Sequence, residues 1–349
     1  MTDTDSKDNI QQRLHLGVIL PHTRLYGGVK RFLELGNEFV AMGHEFIVFT
    51  PDAKGPDWFD FKGRMESFDN INNHELDALW TTTVAYMPMV LESRAEHKIF
   101  YHVRLKEKVK ALMKNPLVEV FTCSGNVYAS DSRRYRRKLL KAFGGVNTRN
   151  YKPRKDYSFD GGDRPFIVMA YGRLAESVKG TKYVVKACER LARKCNIKLL
   201  LYDTPITEKG KKKIEDFDCK VPFEFVLNHP FSDNSGLFGR ADVFVSAENP
   251  KYTGWNNTVA EAMACGLPVV ATTAGTADML QDGVTGLLAE RNSRSLAHAI
   301  KRYYDSEQLR RDTGMRARSR IEAFDWKILA RRIVNYINAG KRQKSEEAK

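Results

Sequence analysis

No apolar run in this 349-residue chain approaches the roughly 20 residues that a membrane-spanning helix needs, so a helical span is not expected. The first residues, MTDTDSKDNIQQR, are polar and lack the apolar centre of a secretory signal, which makes the cytoplasm the expected compartment. Cysteine is scarce. The five present, Cys123, Cys188, Cys195, Cys219 and Cys265, are scattered, odd in number and in no metal-ligand spacing, as suits ordinary thiols in a reducing compartment. The eight histidines form no His-Glu-x-x-His pattern, so neither a zinc enzyme nor any other metal is called for. No Gly-x-Gly-x-x-Gly follows the first apolar run, which disfavours an NAD enzyme, and no cofactor is implied.

Acidic residues are outnumbered, 43 against 57 Lys and Arg, and the net charge of +14 favours an anionic partner. The richest run is RRYRRKLLKAF from Arg133. Placed on a helix, it sets Tyr135, Leu139, Leu140 and Phe143 in an apolar stripe with cations over the remainder. Two readings follow: a solvated basic face, or docking on an anionic membrane surface through Arg133, Arg134, Arg137 and Lys138. No aromatic-interleaved basic motif accompanies the charge, so nucleic acid is not expected as a partner.

Apolar runs alternate with helical patterns from end to end, the mark of parallel α/β architecture. Strands are expected at 14–20, 45–50, 77–82, 97–102 and 118–122, and after a break at 166–171, 197–202, 223–227, 242–246 and 267–271. The break, GGVNTRNYKPRKDYSFDGGD, is rich in turn formers and charge and reads as a linker. Two Rossmann-like halves facing a cleft follow, with ligands at the carboxyl ends of the strands. The tail QKSEEAK is polar throughout and is expected to be disordered.

Chemistry concentrates in the segment KYTGWNNTVAEAMACGLPVVATTAGTADML, which starts at Lys251. Gly254 permits an open turn, Asn256, Asn257 and Thr258 are short polar residues of the kind that cap helices, and a compact Ala-rich helix follows. A helix N-terminus behind such a turn offers free N–H groups and partial positive charge to a phosphate. Glu261 is the one acid on this helix; alone it reads as an exposed helical Glu. Arg173 and Lys179 flank a short loop after another strand, where two cations can converge on one diphosphate, although two surface cations are the plainer reading. Gly27 and Gly28 follow the first strand, either as a tight turn or to let a ligand approach the backbone.

With Asp242–Ser246 before it and GVTGLL after it, this segment resembles the retaining glycosyltransferases of family four, the glycosyl transferases group 1, which have the GT-B fold. The resemblance rests on Glu261, Ala262, Met263, Ala264, Gly266 and Pro268, on the Gly172-Arg173-Leu174 and Lys179-Gly180 pair, and on GGVNTRNYKP as an interdomain signature. It implies that Arg173 and Lys179 bind the donor phosphates and that Glu261 accepts hydrogen bonds from the ribose diol. It also implies that Gly27, Gly28, Gly254, Trp255, Asn256, Asn257 and Thr258 lie against the donor, that His102 sits near the donor sugar, and that Asn228 and His229 belong to the loop lodging the base. One position departs. The family has a Glu eight residues before Glu261, and this chain has Thr253 there, which hydrogen-bonds a hydroxyl but carries no charge. Either the donor differs, or Glu248 substitutes from another direction, or catalysis is weaker.

The expected division is a polar tail over 1–13, an acceptor-side domain over 14–148, a nucleotide-sugar-binding domain over 149–325, and a helix with a charged tail over 326–349 that returns to the first domain. The expected function is metal-independent transfer of a sugar from a nucleotide-sugar donor to a hydroxyl of a glycan or lipid-linked glycan. A noncatalytic glycan- or nucleotide-binding relative is the alternative.

Overall fold

The computed structural model describes residues 12–159, 164–204 and 207–347. Most of the polar tail, with an Asp3-Thr4-Asp5 triplet that superficially resembles a metal motif, lies outside the described residues, as do 160–163 of the linker.

The first domain is built on a seven-stranded parallel sheet of β1 (His15–Ile19), β2 (Glu45–Thr50), β3 (Arg64–Ser67), β4 (Ala78–Thr81), β5 (His97–His102), β6 (Glu119–Thr122) and β7 (Leu140–Lys141). The spatial order is β3-β2-β1-β4-β5-β6-β7, and helices α1 (Gly27–Ala41), α2 (Met87–Glu92), α3 (Lys110–Lys114) and α4 (Gly125–Arg134) connect the strands. The second domain repeats the plan with β8 (Phe166–Tyr171), α5 (Thr181–Leu191), β9 (Ile197–Asp203), α6 (Glu208–Glu215), β10 (Phe223–Leu227), α7 (Asn234–Gly239), β11 (Val243–Ser246), α8 (Asn257–Ala264), β12 (Val269–Ala271) and β13 (Leu287–Leu288). Its six strands run β10-β9-β8-β11-β12-β13, also parallel. In both sheets the order reverses beside the first strand of the domain, and the crevice for a ligand opens there.

Strand sequences such as EFIVFT and ALWT are apolar on both faces because helices cover both sides of the sheet. Edge strand β3, RMES, carries no such run, and β7 and β13 are two residues long, so none of the three was expected. The basic run is not a helix. α4 stops at Arg134, Tyr135 is extended, and the Arg137 guanidinium turns inward to the carbonyls of Leu112, Met113 and Asn115 at 3.1, 3.0 and 3.3 Å. It caps the last turn of α3, where unpaired carbonyls attract a cation. The membrane-facing set therefore loses Arg137; Arg133, Arg134 and Lys138 remain exposed.

Two chain crossings, lying side by side, join the domains. Val146 pairs with Asp325, Trp326 N donates to Val146 O at 3.1 Å, and the Asp325 carboxylate accepts from Thr148 N and Oγ1 at 2.9 and 2.6 Å. Beyond α9 (Ser293–Asp305) and α10 (Glu307–Glu322), α11 (Trp326–Glu347) lies back on the first domain, where Tyr336 donates to Glu119 Oε2 at 2.7 Å and packs edge-on against Phe121. The helix runs on through most of the tail that was expected to be disordered, whose Gln, Lys, Glu and Ala residues all favour helix.

Candidate functional site

A cleft of about 690 Å³ opens between the two domains at the carboxyl ends of β1, β8 and β11. From the first domain come the N-terminus of α1 and the segment after β5. The second domain contributes the loop after β8, the loop after β11 and the first turn of α8.

At the floor, α1 begins at Gly27 with no side chain capping its free N–H groups. Asn257 of α8 lies directly against Gly27: a Cβ there would stand 2.6 Å from Asn257 Nδ2, so only glycine allows the two helix ends to approach this closely. Both N-termini thus open into one space, and their partial positive charges add. Asn256 itself does not line the cleft. It is buried, its Oδ1 accepts from Val259 N at 3.3 Å as the N-cap of α8, and its Nδ2 donates to Ser246 Oγ at 3.0 Å.

Glu261 lies one turn further along α8 and is 6 % exposed rather than solvated. Its carboxylate is paired with the Lys30 ammonium, which reaches across from α1 and also stands over the Phe231 ring at 4.5 Å. Lys179 Nζ donates to Glu248 Oε1 at 2.8 Å, and the Thr253 hydroxyl donates to Glu248 Oε2 at 2.8 Å. A carboxylate therefore does stand at the Thr253 position, supplied from five residues earlier. Arg173 is buried and gripped from three sides: Nε donates to Asp203 Oδ1 at 3.0 Å, Nη1 to Glu176 Oε1 at 3.3 Å and Nη2 to Thr204 O at 3.3 Å. Burial works against its charge, but Tyr171 and Asp203 more than offset this, and its pKa is raised. Burial pushes the Asp203 carboxyl up, with Arg173 working against the shift.

Of the residues expected from sequence, Gly27, Gly28, Arg173, Lys179, Thr253, Gly254, Trp255, Asn257, Thr258 and Glu261 line this one cleft. Besides Asn256, three others do not. His102 is buried behind it, with Nδ1 held 2.6 Å from Asp131 Oδ2 and Nε2 4.0 Å from Glu107 Oε2; a side chain at the last position of β5 is sealed by the segment that follows. Asn228 is exposed in a left-handed turn, and His229 Nε2 lies 3.0 Å from the Asp233 carbonyl; the residues of that loop that reach the cleft are Phe231 and Asn234. With Tyr171 and Tyr202 these give a largely aromatic compartment suited to a flat base. Sequence reasoning missed Lys30, although it lies three residues after Gly27 on the same face of α1.

Two parallel six- and seven-stranded Rossmann-like domains around a cleft of this kind constitute the GT-B fold. Residues 165–306, most of the second domain, match the family model of the glycosyl transferases group 1. Among curated relatives, a D-inositol 3-phosphate glycosyltransferase of Arthrobacter sp. (strain FB24) is 31 % identical over 199 residues, 53 % of this chain and 45 % of the relative. An uncharacterized glycosyltransferase of Methanocaldococcus jannaschii is 31 % identical over 119 residues, 33 % of this chain and 34 % of its own length. The chain thus spans less than half of the curated relatives it matches. Among solved structures, sucrose-phosphate synthase from Thermosynechococcus elongatus superposes with a TM-score of 0.74 at 19 % identity, covering 96 % of this chain and 100 % of that one. Anabaena HepE in complex with UDP and glucose gives 0.73 at 16 %, covering 93 % and 100 %.

Proposed function

We propose that the protein is a retaining glycosyltransferase that moves a sugar from a nucleotide donor to a hydroxyl of a glycan or lipid-linked glycan, without requiring a metal ion. The observation that carries this reading is the convergence of Lys179, Arg173, Glu261 and two helix N-termini on one interdomain cleft. Breaking the anomeric bond leaves extra negative charge on the diphosphate, so preorganised positive charge at the leaving group is the most useful contribution. Lys179 and the N–H groups of α1 and α8 supply it. Glu261 retains one carboxylate oxygen for the ribose diol while Lys30 holds the other. The acceptor hydroxyl attacks on the leaving-group face, and the departing phosphate oxygen takes its proton, so no side-chain base is required. His102 has no direct part in this scheme. The work is done in the cytoplasm, with exposed Arg133, Arg134 and Lys138 available to an anionic membrane surface; among the described residues no helix is long and apolar enough to cross a membrane.

The HepE complex contains UDP, which makes UDP-sugars the first donors to test. A calorimetric panel of nucleotide sugars is expected to yield saturable binding of at least one, with a Kd below about 1 mM. Lys179→Ala is expected to lower transfer by about 100-fold or more. Folded protein that binds no nucleotide sugar would sink the reading. One observation favours the noncatalytic alternative: Lys179 and Arg173 are already paired with Glu248, Asp203 and Glu176. That alternative predicts nucleotide binding with no turnover on any acceptor, and sugar transfer sensitive to Lys179→Ala eliminates it.

A further inference from the structure

We propose that the acceptor carries a phosphate group, and that the first domain binds it in a basic hollow beside the donor cleft. This rests on the glycosyl-transfer reading above. The hollow measures about 410 Å³, a volume suited to one sugar-sized molecule. Ser130, Arg133 and Arg134 of α4 form one side, and Leu105, Pro250 and Thr273 face them. Only a thin wall separates it from the cleft. Arg104 pairs through its backbone with Thr253; Arg104 and Lys106 line the cleft, whereas Leu105 between them lines the hollow. A molecule seated in the hollow is thus directly beside the Thr253 and Glu248 end of the donor site.

Charge decides what that molecule is. On the second domain's wall the cations are matched by carboxylates. On this side the balance is reversed. Among the described residues Arg104, Lys106, Arg133 and Arg134 take part in no salt bridge, and Lys106 meets only the face of Tyr252, 4.9 Å away. Of the acids nearest in sequence, Asp131 turns inward to the buried His102, and Glu107 lies between His102 and Arg104, so neither pairs with Arg133 or Arg134. His102 thereby holds the Asp131 carboxylate away from the surface and leaves Arg133 and Arg134 unopposed. Two guanidinium forks with a serine hydroxyl beside them suit the oxygens of a phosphate. The phosphate belongs either to a small phosphorylated sugar or polyol or to a lipid headgroup.

The test is calorimetry on the full chain with saturating UDP. Soluble probes are matched pairs, glucose 6-phosphate with glucose and myo-inositol 1-phosphate with myo-inositol; the lipid arm compares phosphatidylcholine vesicles with and without phosphatidylinositol. At least one phosphorylated probe is expected to bind tenfold or more tightly than its neutral partner. Arg133→Gln with Arg134→Gln should abolish that preference and leave the UDP Kd within twofold. Arg94→Gln with Lys114→Gln, which removes equal charge outside the hollow, should leave the preference intact. A preference confined to soluble probes or to vesicles identifies the source of the phosphate, and either supports the proposal. Equal binding of every pair, survival of the preference in the first double variant, or equal loss in the second overturns it while nucleotide binding stands. If UDP and nucleotide sugars do not bind at all, the glycosyl-transfer reading fails, and the assignment of an acceptor fails with it.

Discussion

Thr253 removes a carboxylate from the position where the family has one, and Glu248 restores it through a shared hydrogen bond. Two carboxylates at this spot would repel each other beside a diphosphate, so a Thr at 253 and a Glu at 248 are complementary. Glu248→Gln is expected to lower transfer about tenfold or more, roughly 1.4 kcal/mol of transition-state stabilisation, with UDP affinity unchanged or tighter because Lys179 is released. Thr253→Glu alone is expected to impair transfer, and Thr253→Glu with Glu248→Gln to recover most of it. Steady-state kinetics of the three variants check this; equal activity of wild type and Glu248→Gln would leave Glu248 a structural residue. This site was half legible in the sequence. The absence of Glu at 253 could be read directly, but whether Glu248 turns toward Thr253 depends on the path of a loop.

At the scale of elements, strands that are buried on both faces could be read from their composition, because helices on each side demand continuous apolar runs. Edge and two-residue strands could not, since their pairing depends on a neighbour rather than on burial. The run from Arg133 shows the same limit: it has the periodicity of an amphipathic helix, yet Arg137 gains more by capping α3 than by continuing α4. The interdomain crossing depends on one glycine. Gly145 has φ +133°, and a Cβ there would lie 1.9 Å from Trp326 Cη2 at the start of α11. Gly145→Ala is expected to cost about 2–4 kcal/mol from backbone strain and overpacking. Thermal unfolding checks the loss, and an unchanged Tm would show that the crossing adapts.

Across the whole molecule, polar contacts tie α1 to the second domain and to the chain crossing that leads into it. Lys30 pairs with Glu261, Asn147 Nδ2 donates to Glu34 Oε2 at 3.1 Å, and Arg149 pairs with Glu38. Lys30→Met leaves Glu261 buried without its partner and is expected to destabilise the protein by about 3 kcal/mol. In solution scattering without ligand the variant should be more open; a scattering curve identical to wild type would show that the pair does not hold the cleft closed. Burial pushes the Glu34 carboxyl above the usual carboxylate range, and the nearby Lys30 offsets this only in part. The folded protein therefore holds this proton more tightly than the unfolded chain does. The stabilisation that results is complete in acid, below the unfolded value, and is lost as pH rises through the folded one. Glu34→Gln keeps the Asn147 bond without the charge, and is expected to add roughly 1 kcal/mol near neutrality and much less at about pH 4. A Tm difference independent of pH would show that Glu34 does not titrate there.

The sequence by itself determined the two parallel α/β domains, their linker and most of the residues that line the interdomain cleft, because burial pattern and helix-end chemistry are local properties. Only the tertiary structure decided how those residues are used. Lys30 meets Glu261, Glu248 turns to Thr253 and Lys179, and His102 faces inward to Asp131, because each of these contacts joins segments that the chain brings together only on folding.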